Sequence, residues 1–167
     1  MKSTKEPTVG IIMGSKSDCD VMKNSCDIFK LFKIKFDVRV ISAHRTPQRL
    51  ERFISDAEKK DYEVIIAAAG GAAHLAGVTA ALTTIPVLGV PMPSVTDGID
   101  SLLSTVQMPA GVPVATFAAG KAGATNAGIF AAQMIATTDE SLAKKINSFK
   151  ADLREKTILK DKNLDRS

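Results

Sequence analysis

The chain contains 167 residues, of which 45% are hydrophobic and 24% are charged, so it is long enough to bury the core of one globular domain. Its net charge of +4 comes from scattered Lys and Arg residues, and it has one Tyr and no Trp. This composition argues against a nucleic-acid partner, which would require a basic stripe together with stacking aromatic rings.

The middle of the chain is poor in charge, since between residues 64 and 120 only Asp97 and Asp100 carry a formal charge. Gly, Pro, Thr and His residues interrupt every candidate membrane span there, so we expect buried strands and helices and no membrane association. A monomer would expose much of this apolar helical surface, and we therefore predict a homo-oligomer with these helices in the interface. Cys19 and Cys26 fit core thiols, and without a signal peptide the cytoplasm is the expected compartment.

Strands and helices are predicted to alternate from residue 8 onward. Apolar runs predict strands over residues 8–13, 36–41, 63–69, 85–90 and 112–117. Apolar residues at helical spacing predict helices over residues 18–33, 47–59, 72–82, 99–106, 121–136 and 138–160. Ser17 or Asp18 is expected to cap the first helix, and Thr46 the second. Thr137 and Glu140 predict a capping box at the last one.

This alternation predicts a three-layer α/β/α fold with a flavodoxin-like parallel five-stranded sheet. We expect one domain over residues 1–167, with a core at 8–137, a C-terminal helix at 138–160 and loose tails at 1–7 and 161–167. Open sheets of this kind bind ligands beyond the carboxyl ends of their strands. If strands two and three flank strand one, the loops after these three strands meet around one crevice.

The first of these loops is Gly14-Ser15-Lys16-Ser17-Asp18. Backbone amides at a helix start and the hydroxyls of Ser15 and Ser17 suit a phosphate, and the carboxylate of Asp18 suits a pair of ribose hydroxyls. The loop lacks the three spaced glycines of a dinucleotide site. Plain helix capping explains the same residues, so both interpretations stay open.

The second loop, residues 42–46, contains Ser42, His44 and Arg45. The guanidinium of Arg45 matches phosphate oxygens, and the imidazole of His44 can give and take a proton near neutral pH. The structural alternative is an imidazole that donates to a nearby carbonyl and an arginine in a surface ion pair. The loop position favours a functional role.

The third loop, residues 70–75, has Gly70 and Gly71, whose backbones allow a ligand to approach closely. We expect His74 one turn inside an apolar helix, where it would support the site from the core. Two Cys and two His residues without close mixed spacing predict no zinc site, and no Walker loop is present.

Six segments of the chain follow the order of one known family without large gaps, from about Val9 to Ala136. They are Gly14–Asp18 (GSKSD), Ser42–Pro47 (SAHRTP), Ala69–Leu75 (AGGAAHL), Pro86–Pro91 (PVLGVP), Asp100–Ser104 (DSLLS) and Val106–Pro109 (VQMP). Each segment alone is a weak signal, but six in register are specific. Together they resemble the class I PurE family, the N5-carboxyaminoimidazole ribonucleotide mutases of purine biosynthesis.

The resemblance implies an isomerase that needs no cofactor, metal or ATP and that assembles as an octamer. Such an enzyme moves a carboxylate from the exocyclic nitrogen of its ribonucleotide substrate to a ring carbon, by loss and recapture of carbon dioxide. Functional coupling to the ATP-dependent carboxyaminoimidazole ribonucleotide synthetase would follow.

By the same resemblance, His44 is the general acid–base that supplies and removes the proton. Residues of all three loops bind the substrate; these are Ser15, Ser17, Asp18, Ser42, Arg45, Gly70, Gly71, Ala72, His74 and Leu75. Asp18 would hold the ribose, Ser42 and Arg45 the phosphate side, and the amides of residues 70–72 would face the migrating carboxylate.

Two alternatives remain at this stage. An aminoimidazole ribonucleotide carboxylase would use free carbon dioxide on the same fold, but that class has Lys-Gly where this chain has Arg45-Thr46 and lacks the Gly70–His74 run. A non-catalytic subunit that binds nucleotide phosphates would keep Ser15, Asp18 and Arg45 but would not need His44.

Overall fold

The structure is a computed structural model that describes residues 8–94 and 96–164. Parts of both predicted loose tails lie outside the described residues. They are residues 1–7 of the N-terminal tail and residues 165–167 of the C-terminal tail. No helix within the described part is long and apolar enough to cross a membrane.

Strands and helices alternate along the described chain, as the sequence predicts. The first half contains β1 (Thr8–Met13), a one-turn 3-10 helix (Lys16–Asp18), α1 (Cys19–Phe32), β2 (Lys35–Val40), α2 (Pro47–Lys59), β3 (Tyr62–Ala69) and α3 (Leu75–Leu82). The second half contains β4 (Val87–Pro91), α4 (Ile99–Val106), β5 (Ala115–Thr116), α5 (Lys121–Ala136) and α6 (Glu140–Lys162).

The strands of the described chain form one five-stranded parallel sheet in the order β2-β1-β3-β4-β5. This order confirms the flavodoxin-like prediction. The last residue of β1, Met13, pairs with Val40 of β2 and with Ala68 of β3, and Ala69 of β3 pairs with Pro91 of β4. The carboxyl ends of four strands are therefore level, and the loops that follow them lie at one edge of the sheet.

Helices cover both faces of the sheet and bury its alternate side chains. On one face, Ile11 and Ile66 pack with residues of α1, α5 and α6, and on the other, Ile12 and Ile65 pack with residues of α2 and α3. β1 is buried along its whole length. The loop that leaves β1 thus begins from a fully buried strand, which fixes the position of Gly14 and Ser15.

Two elements, α3 and β5, are shorter than predicted by three residues or more. α3 begins at Leu75, not Ala72, because the His74 amide donates to the Ala72 carbonyl two residues back, a bond of a turn and not of an α-helix; this turn follows Gly71, whose φ is 62°. β5 is two residues long where six were predicted. Pro113 has no amide hydrogen, and the amide of Val112 donates to Pro109 instead of joining the sheet.

Asp18 and Thr46 stand at the predicted N-cap positions of α1 and α2, whereas the capping box predicted for Thr137 and Glu140 was wrong. The last helix is capped by Asp139, whose carboxylate accepts from the Leu142 amide, while the Thr137 hydroxyl bonds back to α5. Neither Asp18 nor Thr46 caps its helix with its side chain. Both side chains instead hold the loops that form the candidate site.

Candidate active site

A cavity of about 540 Å³ opens at the carboxyl ends of β1 to β4. The loops that follow these strands form its wall. Its lining residues are Gly14, Ser15, Ser17, Asp18, Ser42, Ala43, His44, Arg45, Ala69, Gly70, Ala72, His74, Leu75, Met92, Pro93 and Ser94. Every predicted site residue except Gly71 is among them, so the sheet brings together three loops that are far apart in sequence.

The loop after β1 is held by hydrogen bonds among Ser15, Ser17 and Asp18. The Ser15 hydroxyl accepts from the Ser17 amide, and the Asp18 carboxylate accepts from the Ser15 amide at 3.2 Å. The Ser17 hydroxyl bonds to Ser15 at 2.8 Å. The three side chains therefore shape the loop and also line the cavity. The capping interpretation and the binding interpretation are thus compatible.

The carboxylate of Asp18 is half-buried in this wall. Its burial raises the pKa of Asp18 above the ordinary value, and the hydrogen bonds from Ser15 and Ser17 offset that effect only in part. A buried carboxylate that keeps part of its hydrogen-bonding capacity favours a ligand with hydroxyl donors.

The loop after β2 is closed by Thr46. Its hydroxyl donates to the Ser42 carbonyl at 2.9 Å and accepts from the Ser42 amide at 3.2 Å. The Ser42 hydroxyl in turn accepts from the backbone amide and the Nε of Arg45. These bonds close the loop on itself and leave His44 exposed at its tip.

The guanidinium of Arg45 crosses from this loop to the end of β1. Its Nη2 donates to the carbonyl of Gly14 at 3.3 Å. The group stays exposed at the cavity wall, and its remaining N–H groups are available to an anion. Sequence reasoning placed Arg45 in the site, but the contact with Gly14 depends on the strand order.

The two histidines of the chain meet inside the cavity. His44 Nε2 lies 2.8 Å from His74 Nδ1, and the rings pack edge to face. His74 is exposed at the residue before α3, so its predicted place one turn inside an apolar helix was wrong. Because α3 starts late, His74 stands at the cavity wall beside His44.

The loop after β3 supplies the apolar part of the wall. Gly70 lies against the loop after β4, where a side chain at Gly70 would meet the Met92 Cβ at 3.3 Å. Gly71 turns away, with a positive φ and open space around its Cα. It does not line the cavity, and its part is to set the turn that presents Gly70 and Ala72.

Sequence reasoning missed the residues that follow β4 in the cavity wall, namely Met92, Pro93 and Ser94. The rule that ligands bind beyond strand ends applies to β4 as well, and this was the signal that could have identified them. The Ser94 hydroxyl bonds to both carboxylate oxygens of Asp100, at 2.8 and 2.6 Å. Asp100, in the first turn of α4, thus holds Ser94 in position on this side of the cavity.

Within residues 8–94 and 96–164, no group of three or more His, Cys, Asp or Glu side chains is placed to hold a metal ion. The fixed charges on the described cavity wall are those of Asp18 and Arg45. The chemistry available here is proton transfer by imidazole beside an anion-binding guanidinium.

Known proteins resemble this chain over most of its length. The family model described as AIR carboxylase matches residues 8–156. A Bacillus subtilis protein named N5-carboxyaminoimidazole ribonucleotide mutase is 52% identical over 92% of this chain and 95% of its own length. A Vibrio parahaemolyticus protein of the same name is 53% identical over 93% and 96%. The crystal structure of Treponema denticola PurE superposes with a TM-score of 0.87 and 27% identity, over 96% of this chain and 99% of that one.

Proposed function

The chain belongs to the AIR carboxylase family, and from this we infer that it catalyses the reaction for which its relatives are named, that of N5-carboxyaminoimidazole ribonucleotide mutase. It converts N5-carboxyaminoimidazole ribonucleotide into 4-carboxyaminoimidazole ribonucleotide in purine biosynthesis. The observation that carries the mechanism is the contact between His44 and His74 inside the cavity.

The reaction needs a group that donates one proton to the substrate and later removes one proton from it. The exocyclic nitrogen gains a proton as its bond to the carboxylate carbon breaks and carbon dioxide leaves. The ring carbon then forms a bond to that carbon dioxide and loses its own proton, which restores the aromatic ring. A single acid–base group therefore returns to its starting state after each turnover.

The histidine pair suits this role. One hydrogen lies between His44 Nε2 and His74 Nδ1, since one of these nitrogens donates and the other accepts. The other ring nitrogen of His44, Nδ1, is then the one that exchanges a proton with the substrate. We assign proton transfer with the substrate to His44, and the control of its tautomer to His74.

The remaining wall divides into a polar and an apolar part. Arg45, with Ser42, would hold the phosphate, and Asp18, with Ser15 and Ser17, would accept hydrogen bonds from the ribose hydroxyls. Gly70, Ala72 and Leu75 form an uncharged surface where carbon dioxide is held between its loss and recapture.

A turnover assay tests the function directly. Purified protein is given N5-carboxyaminoimidazole ribonucleotide without bicarbonate or ATP, and separately the decarboxylated ribonucleotide with bicarbonate. Rapid formation of the carbon-carboxylated product only from the first substrate supports the mutase. Rapid product from the second mixture would identify a carboxylase that uses free carbon dioxide, and no product from either would leave a nucleotide-binding subunit.

We also propose that the active form is a homo-oligomer, an octamer by the family resemblance, that works in the cytoplasm with the ATP-dependent synthetase as its functional partner. Exposed apolar side chains on the charge-poor helices support the oligomer; they include Val78, Leu82, Leu103 and Val106. Light scattering at micromolar concentration tests the assembly, and a monomer would refute it.

A further inference from the structure

The hydroxyl of Ser94 is committed to one partner. It lies 2.8 Å from Oδ1 and 2.6 Å from Oδ2 of Asp100, in the first turn of α4. A serine hydroxyl has one hydrogen, and here that hydrogen is shared between two carboxylate oxygens. The proposed reaction, as argued above, makes no use of either residue.

Asp100 acts in this pair only as an acceptor. Hydrogen bonds from the Ser94 and Thr96 hydroxyls and the Ser101 amide hold the pKa of Asp100 below its ordinary value, so its carboxyl is ionised at neutral pH. An ionised carboxylate has no hydrogen to return to Ser94. The Ser94 oxygen therefore has only lone pairs left for a ligand in the cavity.

Ser94 lies at the end of the cavity opposite Arg45. Arg45 follows β2 and Ser94 follows β4, which are three positions apart in the sheet, or about 14 Å at the usual strand spacing. Ser94 is also next to Gly70, whose missing side chain would lie 3.8 Å from the Ser94 Cβ. If Arg45 binds the phosphate, Ser94 is on the side that receives the base.

We propose that Asp100 fixes Ser94 as a hydrogen-bond acceptor for the exocyclic N–H of the aminoimidazole ring. This identification of the ligand rests on the proposed function. The exocyclic nitrogen keeps at least one hydrogen in the substrate, the decarboxylated intermediate and the product, so the bond holds the base while the carboxylate moves. Ser94 then determines specificity for an amino-substituted ring, and Asp100 is a positioning residue.

The test compares two ligands by calorimetry, 5-aminoimidazole ribonucleotide and the imidazole ribonucleotide that lacks the amino group. We expect the preference of the wild type for the amino ligand to fall about fivefold in Ser94→Ala, the factor that corresponds to one net hydrogen bond. A change in the preference reports the amino contact, because a general weakening of the site would affect both ligands alike.

Asp100→Asn tests the positioning step. The amide keeps one acceptor oxygen and adds an N–H donor, which can occupy the Ser94 lone pairs and release the Ser94 hydrogen, so we expect part of the preference to be lost although the hydroxyl remains. The double variant Ser94→Ala/Asp100→Asn should lose no more than Ser94→Ala alone, since both changes remove one contact. Ser104→Ala is the matched control, because Ser104 does not line the cavity and its hydroxyl donates to the Asp100 carbonyl at 2.8 Å, with a longer contact of 3.4 Å to the Gly71 carbonyl.

Thermal unfolding establishes that each variant is folded, and wild-type turnover in the assay above decides the proposed function separately. An active wild type together with an unchanged preference in Ser94→Ala overturns the inference. A loss of preference in Ser104→Ala equal to that in Ser94→Ala overturns it as well. A loss in Ser94→Ala and Asp100→Asn that is absent from Ser104→Ala supports it.

Discussion

His44 Nε2 lies 2.8 Å from His74 Nδ1, although 30 residues separate the two histidines in the chain. The contact joins the loop after β2 to the loop after β3, and these strands flank β1 on its two sides. It therefore crosses the carboxyl end of β1, where the loop with Gly14 and Ser15 begins. The pair exists only because the sheet has this order and because α3 starts after His74.

The first prediction concerns proton transfer by His44. His44→Asn keeps a polar side chain at the loop tip but removes the imidazole that acts as the acid–base group. We expect kcat to fall by about 10²- to 10⁴-fold, the usual contribution of a general acid–base, while nucleotide affinity changes little. Steady-state kinetics with N5-carboxyaminoimidazole ribonucleotide and calorimetric binding of the product measure the two effects.

His74→Asn is the companion variant. It leaves His44 in place without its ring partner, so we expect a smaller loss of kcat and a shift in its pH profile. If His44→Asn retained near-normal turnover, the assignment of proton transfer to His44 would be wrong.

The second prediction concerns anion binding by Arg45. Arg45→Ala removes the guanidinium that reaches Gly14, and we expect nucleotide affinity to fall by about 10- to 100-fold, as for a lost charge-assisted contact. Arg45→Lys keeps the charge but not the planar fork, so it should recover only part of the affinity. Titration with the nucleotide and with its dephosphorylated nucleoside separates the phosphate contribution. Equal losses for both ligands would argue against a phosphate contact.

Much of the fold could be predicted because its signals are local. β1, α2, α4 and α5 have the predicted bounds, since each has an apolar pattern between clear turn residues. The meeting of three loops also followed, because parallel strands place their carboxyl ends at one edge. The parts that failed depend on backbone geometry that composition does not encode, such as the left-handed turn at Gly71 that moves the start of α3.

The candidate site was predictable in its residues but not in its contacts. Ser15, His44 and Arg45 were chosen for their chemistry and their place after strands. The contacts that join one loop to another come from distant residues, as between His44 and His74 or between Arg45 and Gly14. Such partners are set by the packing of the whole sheet, so a single loop sequence does not reveal them.

The third prediction concerns the pH dependence of stability at Asp18. Because burial raises its pKa in the folded protein, the charged carboxylate opposes folding. Its contribution to stability is therefore fully present below the unfolded pKa of about 3.9 and is lost as the pH rises through the higher folded value. We expect Asp18→Asn to raise the Tm relative to the wild type more at about pH 7 than at about pH 3.5, and to weaken nucleotide binding at about pH 7.

Thermal unfolding at the two pH values measures the difference, and calorimetry measures the binding. Asp20→Asn, which removes an exposed carboxylate two residues further on, controls for the change in net charge. A Tm advantage of Asp18→Asn that is larger at the acidic pH would contradict the sign of the argument.

The fourth prediction concerns the closure of the loop that carries His44. The Thr46 hydroxyl bonds to both the amide and the carbonyl of Ser42, and Ser42 in turn receives two bonds from Arg45. Thr46→Val has the same shape but removes the hydroxyl, which leaves the part-buried Ser42 amide without this partner. We expect a loss of about 1–3 kcal/mol in the free energy of unfolding and a lower kcat, because the loop would no longer hold His44 against His74.

Thr46→Ser is the matched variant, since it restores the hydroxyl and removes only the methyl group. It should recover most of the stability and most of the turnover lost in Thr46→Val. Urea unfolding gives the free energies, and steady-state kinetics gives kcat for the same preparations. If Thr46→Val kept wild-type stability and turnover while Thr46→Ser lost them, the methyl packing of Thr46 would matter and the hydroxyl would not, and the loop would be held by the Arg45 and Ser42 contacts alone.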